Sequence, residues 1–386
     1  MPDYAAPGVY VEEQPITPTI VGVGTSTAGL IGEVADNVTM PELPDGSGDY
    51  VVAAMHEPVL VTNFDQFKRH FGDFQAGNGT LAHSVYGFFN NGGSACWVAR
   101  VADLDDDNEV KEVLVAFEAI DEIAIVAAPG ALDAAVQLAL IEHCDQASLQ
   151  DRFAILDGQQ ATTVTVADIK GTLASTSDYA AMYFPFVQVS DPITGDLIFI
   201  PPSGLMAGVY ARVDATRGVH KAPANVPLRG ALGLQYQTSK NEQALVNKQG
   251  INVIRRLNGS ILVWGARTLG SGTAGRIEYI NVRRLMNFLR ESIDEGTQNA
   301  VFEPNSNPLW ATITRSVTAF LTRVWRDGAL FGTQPEQAFF VRCDESTNPP
   351  DVRDAGMVVT EIGVAPVKPA EFVIFRIAQF AEIPAA

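Results

Sequence analysis

The chain predicts an α/β protein built on a largely parallel sheet, and three features of its 386 residues carry that expectation. Short apolar runs end at turn signals: residues 123–127 (IAIVA) stop at Pro129-Gly130, and 153–156 (FAIL) stop at Asp157-Gly158. Stretches with helical spacing, 131–147 and 166–174, follow each of these runs. Strands alternating with helices in this way imply βαβ units and a sheet covered on both faces. Apolar residues make up 47% and charged residues 18%, enough for a packed core, and the length suits two domains or one domain with a large insertion.

The elements read in order as follows. In the first twenty residues Pro2, Pro7, Pro15 and Pro18 forbid a helix, while Val9-Tyr10-Val11 has strand propensity, so this is an extended arm with one short strand. Residues 20–31 (IVGVGTSTAGLI) read as a core strand followed by a turn of small residues, and 35–50 as turns. Residues 64–71 and 81–91 have helical spacing, the second stopped by Gly92-Gly93. A strand is expected at 96–101, then an acidic loop at 103–109. Beyond the central alternation, 181–189 is a third strand, 197–200 a candidate extension of the sheet, and 203–216 a helix. Two further helices are expected at 277–293 and 309–325. Residues 371–380 (EFVIFRIAQF) are apolar on both faces apart from Arg376, a strand that needs cover on both sides.

Net charge is −19, unevenly spread: −23 through residue 200 and +4 beyond it. An acidic surface repels nucleic acid and anionic membrane, and the Arg-rich half suits an acidic partner. No run of 18 apolar residues and no signal peptide is visible. Cys96, Cys144 and Cys343 are odd in number and far apart, as expected of reduced structural thiols in a cytoplasmic compartment.

Motifs of chemistry are weak. Gly22, Gly24 and Gly29 do not have the GxGxxG spacing and no GK[ST] follows, so small residues at a tight strand exit explain them better. The GSGTAG at 270–275 reads as a surface loop. Asp103, Asp105 and Asp107 start like a calcium loop, but Asn108 stands where Gly is needed and Leu114 where a bidentate Glu belongs. His56, His70, His83, His143 and His220 form no HxH or HExxH pair, and no GxSxG elbow is present. No catalytic residue, cofactor or metal is therefore expected, and an α/β hydrolase-like enzyme is the lesser alternative to a structural protein.

One helix stands out. Over 309–326, Ile313, Val317, Phe320 and Val324 fall on one side, and Arg315, Arg323 and Arg326 lie opposite within about 80° of one another. This is either the solvated face of a core-packed helix or a contact for an acidic partner. A second basic cluster, Arg283, Arg284 and Arg290, lies on the preceding helix.

Several segments carry a resemblance. PGVYVEE (7–13), PPSGLMAGVYARVDATRGVHKAPAN (201–225), VWGARTL (263–269), YINVRRL (279–285), FEPN (302–305) with Leu309-Trp310, and PAEFVIFRI (369–377) are, in that order, similar to the contractile tail sheath family of myophages and R-type pyocins. The resemblance implies an N-terminal linker arm (1–20), an inner tube-facing α+β domain (21–30 and 205–366), an outer acidic α/β domain (31–204) and a C-terminal linker arm (367–386). It implies assembly in the bacterial cytoplasm into six-fold rings stacked as a helix around an inner tail tube. Baseplate and tail terminator proteins would be further partners, and nucleic acid and membrane would not. The particle would be a virion or tailocin tail; a type VI secretion or other injection-system sheath is the alternative. The arms, Gly8, Val9, Tyr10, Val11, Glu12 and Glu13 at one end and Glu371, Phe372, Val373, Ile374, Phe375, Arg376 and Ile377 at the other, would pair as exchanged strands with neighbouring copies. Arg315, Arg323 and Arg326 would be candidate contacts to the tube.

Overall fold

The computed structural model describes residues 20–372 and 374. They divide into two compact units, one of Gly24–Phe288 with the described residues from Pro366 onward, the other of 20–23 with Leu289–Ala365.

The larger unit contains, in chain order, β1 (Ala28–Glu33), β2 (Val59–Val61), α1 (Phe64–Phe71), α2 (Gly79–Asn91), β3 (Cys96–Val101), α3 (Asp107–Glu118) and β4 (Ile125–Ala127). It continues with α4 (Ala134–Asp145), β5 (Phe153–Asp157), α5 (Val166–Lys170), β6 (Ala180–Phe184), β7 (Val187–Ser190), β8 (Leu197–Ile200) and α6 (Ser203–Arg217). Then come β9 (Val226–Pro227), β10 (Gly233–Leu234), α7 (Lys240–Asn247), β11 (Ile251–Leu257) and β12 (Ser260–Val263). The division between the units falls within α8 (Ile280–Thr297).

Nine strands form one sheet in the order β2-β3-β1-β4-β5-β6-β11-β12-β9. The six from β3 to β11 are parallel, and β2, β12 and β9 run antiparallel to their neighbours. Leu30 of β1 is paired with Val98 on one side and Ala127 on the other. Strands β4, β5 and β6 are buried along their whole length, which is why they read as unbroken apolar runs. Helices α1, α2 and α6 cover one face, and α3, α4, α5 and α7 the other. The α2–α6 contact is close because glycine lines it: a Cβ at Gly208 would stand 2.3 Å from the Phe88 carbonyl oxygen, and one at Gly204 2.6 Å from Ser84 Cβ. Both ends of the sheet are short, three residues in β2 and two in β9, one of which is Pro227.

Several sequence expectations need correction. Residues 20–27 are not strand; the small residues precede β1 instead of following it. The expected acidic loop at 103–109 is loop only through Asp106; 107–109 begin α3, with Asp106 capping the Asn108 N–H. The 181–189 strand is two strands in different sheets, because Pro185 has no N–H to continue the ladder. Residues 197–200 do not extend the main sheet: β8 pairs with β7 in a separate three-stranded sheet, β10-β7-β8. The expected 166–174 helix stops at Lys170, since Gly171 takes φ 56°.

The smaller unit holds α9 (Asn307–Arg326), α10 (Pro335–Ala338), β13 (Phe339–Arg342), α11 (Pro350–Asp354) and β14 (Glu361–Val364). Val317, Phe320 and Val324 of α9 are buried with Leu321, as the helical spacing predicts. β13 and β14 form a two-stranded antiparallel sheet, with Phe339 opposite Val364 and Arg342 opposite Glu361.

The nine-stranded sheet takes strands from both sides of residue 204. The compact units are thus drawn on different lines from the inner and outer parts expected above, which are defined by what they face. Among the described residues no helix is long and apolar enough to cross a membrane.

Candidate assembly site

The sequence places the candidate site at the two ends of the chain, and the structure describes where each end is rooted. Gly8, Val9, Tyr10, Val11, Glu12 and Glu13 lie outside the described residues, as do Val373, Phe375, Arg376 and Ile377. Glu371, Phe372 and Ile374 are described and are not in a strand.

In the smaller unit, Ile20 is buried against Gly296 of α8, where any side chain would collide with it. The Arg323 guanidinium donates to the Ile20 carbonyl, and the Val23 N–H donates to Ser292 Oγ at 3.1 Å. In the larger unit, the next residues are held by a buried ion pair. Arg284 donates to both Asp214 oxygens at 3.0 and 2.6 Å and to the Thr25 carbonyl at 2.7 Å, while the Thr25 hydroxyl donates to Asp214 at 2.7 Å. The guanidinium lies over the Tyr210 ring. Arg283, beside it, pairs with Asp178 at 3.1 Å and lies over Tyr179. Two of the three arginines in the second basic cluster are therefore internal; Arg290 is exposed.

The C-terminal root is held at Glu371. Arg267 Nε donates to its two oxygens at 3.0 and 3.2 Å, and Nη2 donates at 2.5 Å. Asn247 Nδ2 and the Tyr279 hydroxyl add donors at 2.6 and 3.3 Å. Burial raises the Glu371 carboxyl and these donors outweigh it, leaving it below its ordinary range. A groove of about 660 Å³ runs alongside, with Trp264, Tyr279, Arg217 and Lys221 among its walls. Sequence spacing shows none of this, because Arg267 and Glu371 are 104 positions apart.

Of the arginines on α9, Arg315, Arg323 and Arg326 are all exposed, as the helical wheel predicts, but Arg323 also serves the chain's own N-terminal segment. In the same unit, no described strand continues the β13–β14 sheet on either side. Phe340 stands half exposed on it, with the Arg342 guanidinium 5.8 Å from its ring centre.

The carboxyl ends of β4 and β5 are where α/β enzymes place their chemistry. Here Asp157, 2% exposed, accepts from the Gly130 N–H at 3.0 Å, the Ser203 N–H at 2.8 Å and the Ser203 hydroxyl at 2.7 Å. Burial pushes its carboxyl up to about 6 despite these bonds. The contact joins the start of α6 to the sheet. Cys96, Cys144 and Cys343 are buried and free, and burial pushes the Cys96 and Cys144 thiols far above their usual range. Among the described residues no three His, Cys, Asp or Glu side chains gather as metal ligands.

The fold is that of an α/β protein on a largely parallel sheet, and comparison with known proteins gives the family. Residues 107–269 match the phage tail sheath protein central domain and 275–380 match the phage tail sheath C-terminal domain. The chain belongs to the contractile tail sheath family, a family of structural sheath proteins. It is 30% identical over 190 residues to the tail sheath protein of Burkholderia phage BcepMu, covering 47% of this chain and 39% of that one. With the tail sheath protein of Escherichia phage P2 it is 22% identical, over 97% of this chain and 96% of that one. The chain thus spans less than half the length of the BcepMu relative and nearly all of the P2 one. Among solved structures it resembles the helical sheath of the anti-feeding prophage in its contracted state, with TM-score 0.76 and 28% identity, covering 98% of this chain and all of that one. It also resembles the sheath complex of an extracellular contractile injection system, PVC, with TM-score 0.77 and 29% identity over 99% of each chain.

Proposed function

We propose that this chain polymerises helically around an inner tube and contracts to drive that tube through a target cell envelope. The observation that carries the reading is the end-to-end likeness to subunits of a contracted helical sheath. The chain acts in this reading as structure and not as catalyst.

The terminal arms join the copies. A ten-residue strand spans about 33 Å, and each added backbone hydrogen bond contributes about 0.5–1.5 kcal/mol. Several bonds together with buried Val, Ile and Phe are needed to hold a link through a large movement. The β13–β14 sheet suits the receiving role, because its outer edges have no described partner strand. Residues 21–30 and 205–366 face the tube and 31–204 face outward, in keeping with the change of charge balance near residue 200. Arg315 and Arg326 are then the cations available to the tube, with Arg323 shared with Ile20. Ion pairs at a wet surface are weak and salt-sensitive, which suits a contact that must release. Baseplate and terminator proteins close the two ends of the polymer, which assembles in the cytoplasm of the producing bacterium.

Full-length likeness extends both to the anti-feeding prophage and PVC sheaths and to the tail sheath protein of phage P2, so the setting is a contractile particle of the phage-tail or injection-system kind. Negative-stain microscopy of the full chain with its tube protein tests the function: sheathed tubes of two lengths are expected. Discrete monomers under all assembly conditions refute it. Removing the first eighteen residues should abolish full-length sheaths, and normal contraction without them refutes the role of the arm.

A further inference from the structure

We propose that the stretch 264–285 is a yoke that fixes the roots of both arms to one rigid piece of the larger unit, with Arg267 positioning the exit of the C-terminal arm. The inference rests on the reading that the arms link neighbouring copies.

Arg267 is 7% exposed, and each of its three guanidinium nitrogens donates a hydrogen bond. Besides the three bonds to Glu371, Nη1 donates to Glu278 Oε1 at 2.6 Å and to Ser271 Oγ at 3.0 Å. Its backbone is tied just as firmly. The Arg267 N–H donates to Asn252 Oδ1 at 2.7 Å, and Asn252 Nδ2 donates back to the Arg267 carbonyl at 2.7 Å and to the Met182 carbonyl at 3.2 Å. Asn252 lies fully buried in β11, next to β6. The approach is close enough that a Cβ at Gly265 would stand 2.8 Å from Asn252 Cα. A pull on Glu371 therefore passes through Arg267 and Asn252 into two central strands of the sheet.

The hold ends abruptly. Phe372 and Ile374, immediately beyond Glu371, are 73% and 80% exposed. Among the described residues, Glu371 is thus the last one gripped. Eleven and twelve residues past Arg267, Glu278 and Tyr279 complete the cage, and five residues after Tyr279, Arg284 grips Thr25 at the root of the other arm. One continuous stretch holds both roots, so a displacement of one arm reaches the other without passing through the whole unit. Bidentate geometry makes arginine necessary at 267, since a lysine has no planar fork to match a carboxylate.

Glu371→Gln and Arg267→Lys in the full chain test this. Hydrogen exchange in the soluble subunit should speed up by about tenfold or more across 366–371 while β5 and β6 keep their protection. Assembled sheath, measured by sedimentation with tube protein present, should fall by about tenfold or more, since each lost charge-assisted bond is of that order. Unchanged exchange, or faster exchange with undiminished assembly, overturns the positioning role. A chain truncated after Glu371 separates the two ideas: assembly without residues 372–386 defeats the linking arm itself. Loss of assembly on truncation but not in Glu371→Gln defeats only the clamp.

Discussion

Gly208→Ala tests the closeness of the α2–α6 contact that covers one face of the sheet. The new methyl would stand 2.3 Å from the Phe88 carbonyl oxygen and 2.8 Å from Asn91 Cβ. Neither atom is the free end of a flexible side chain, so the two helices must separate by about 1 Å to reach ordinary contact distance. Overpacking of this kind costs about 1–3 kcal/mol, and a clash with backbone puts the cost at the upper end. Alanine in place of glycine returns about 1 kcal/mol of helix propensity. The net expectation is a loss of about 2 kcal/mol. Gly79→Ala, at the start of α2 with open space around its Cβ, is the control and should gain a few tenths of a kcal/mol. Urea unfolding of the soluble subunit, followed by circular dichroism, measures both. If Gly208→Ala is as stable as the parent, the helices are not held as tightly as the geometry requires and the reasoning fails.

Further outcomes are expected. Phe302 is fully exposed with φ 69°, so Phe302→Gly relieves strain with no packing to lose and should stabilise the subunit by up to about 1 kcal/mol in the same assay. A loss instead would mean that the ring is packed. Asp214→Ala leaves Arg284 buried without its carboxylate and should cost about 3–5 kcal/mol; a smaller loss would show that Tyr210 and the Thr25 carbonyl suffice. Two buried groups have opposite pH dependences. Burial, then the nearby Arg152, lowers His143 to about 4, so the unfolded chain binds the extra proton and stability rises with pH from about 4 to 6.5. Asp157, raised by burial to about 6, holds a proton in the fold that the unfolded chain has lost, so its effect is a fall in stability as pH rises from 3.8 to about 6. Each is worth about 3 kcal/mol and they nearly cancel. His143→Gln should leave stability falling with pH over that window, and Asp157→Asn should leave it rising, both read from urea midpoints between pH 4 and 7. Identical slopes in the two variants refute the assignment.

The parallel strands were legible because strands covered on both faces must be apolar throughout, as 125–127 and 153–157 are. Helix α9 was legible because its buried and charged sides separate cleanly. Helix α3 was missed because its capping carboxylates look like a loop: Asp106 caps the first turn and Asp107 pairs with Lys111 one turn on. That cluster was a helix-start signal. The β11–β12 hairpin also had an overlooked marker, Asn258-Gly259, whose φ values of 51° and 84° are those of a tight hairpin turn. The Arg267–Glu371 and Arg323–Ile20 contacts had no signal at all, since they join residues 104 and 303 positions apart.

The stunted margins of the nine-stranded sheet bear on how such a chain avoids wrong polymers. A subunit crowded among many identical copies risks indiscriminate edge-to-edge growth wherever a long bare strand is on offer. Three residues at one margin, and two with a proline at the other, present too few free amides to recruit a stray neighbour. Copies meeting at random then find little purchase on the big sheet, whatever contacts join them elsewhere.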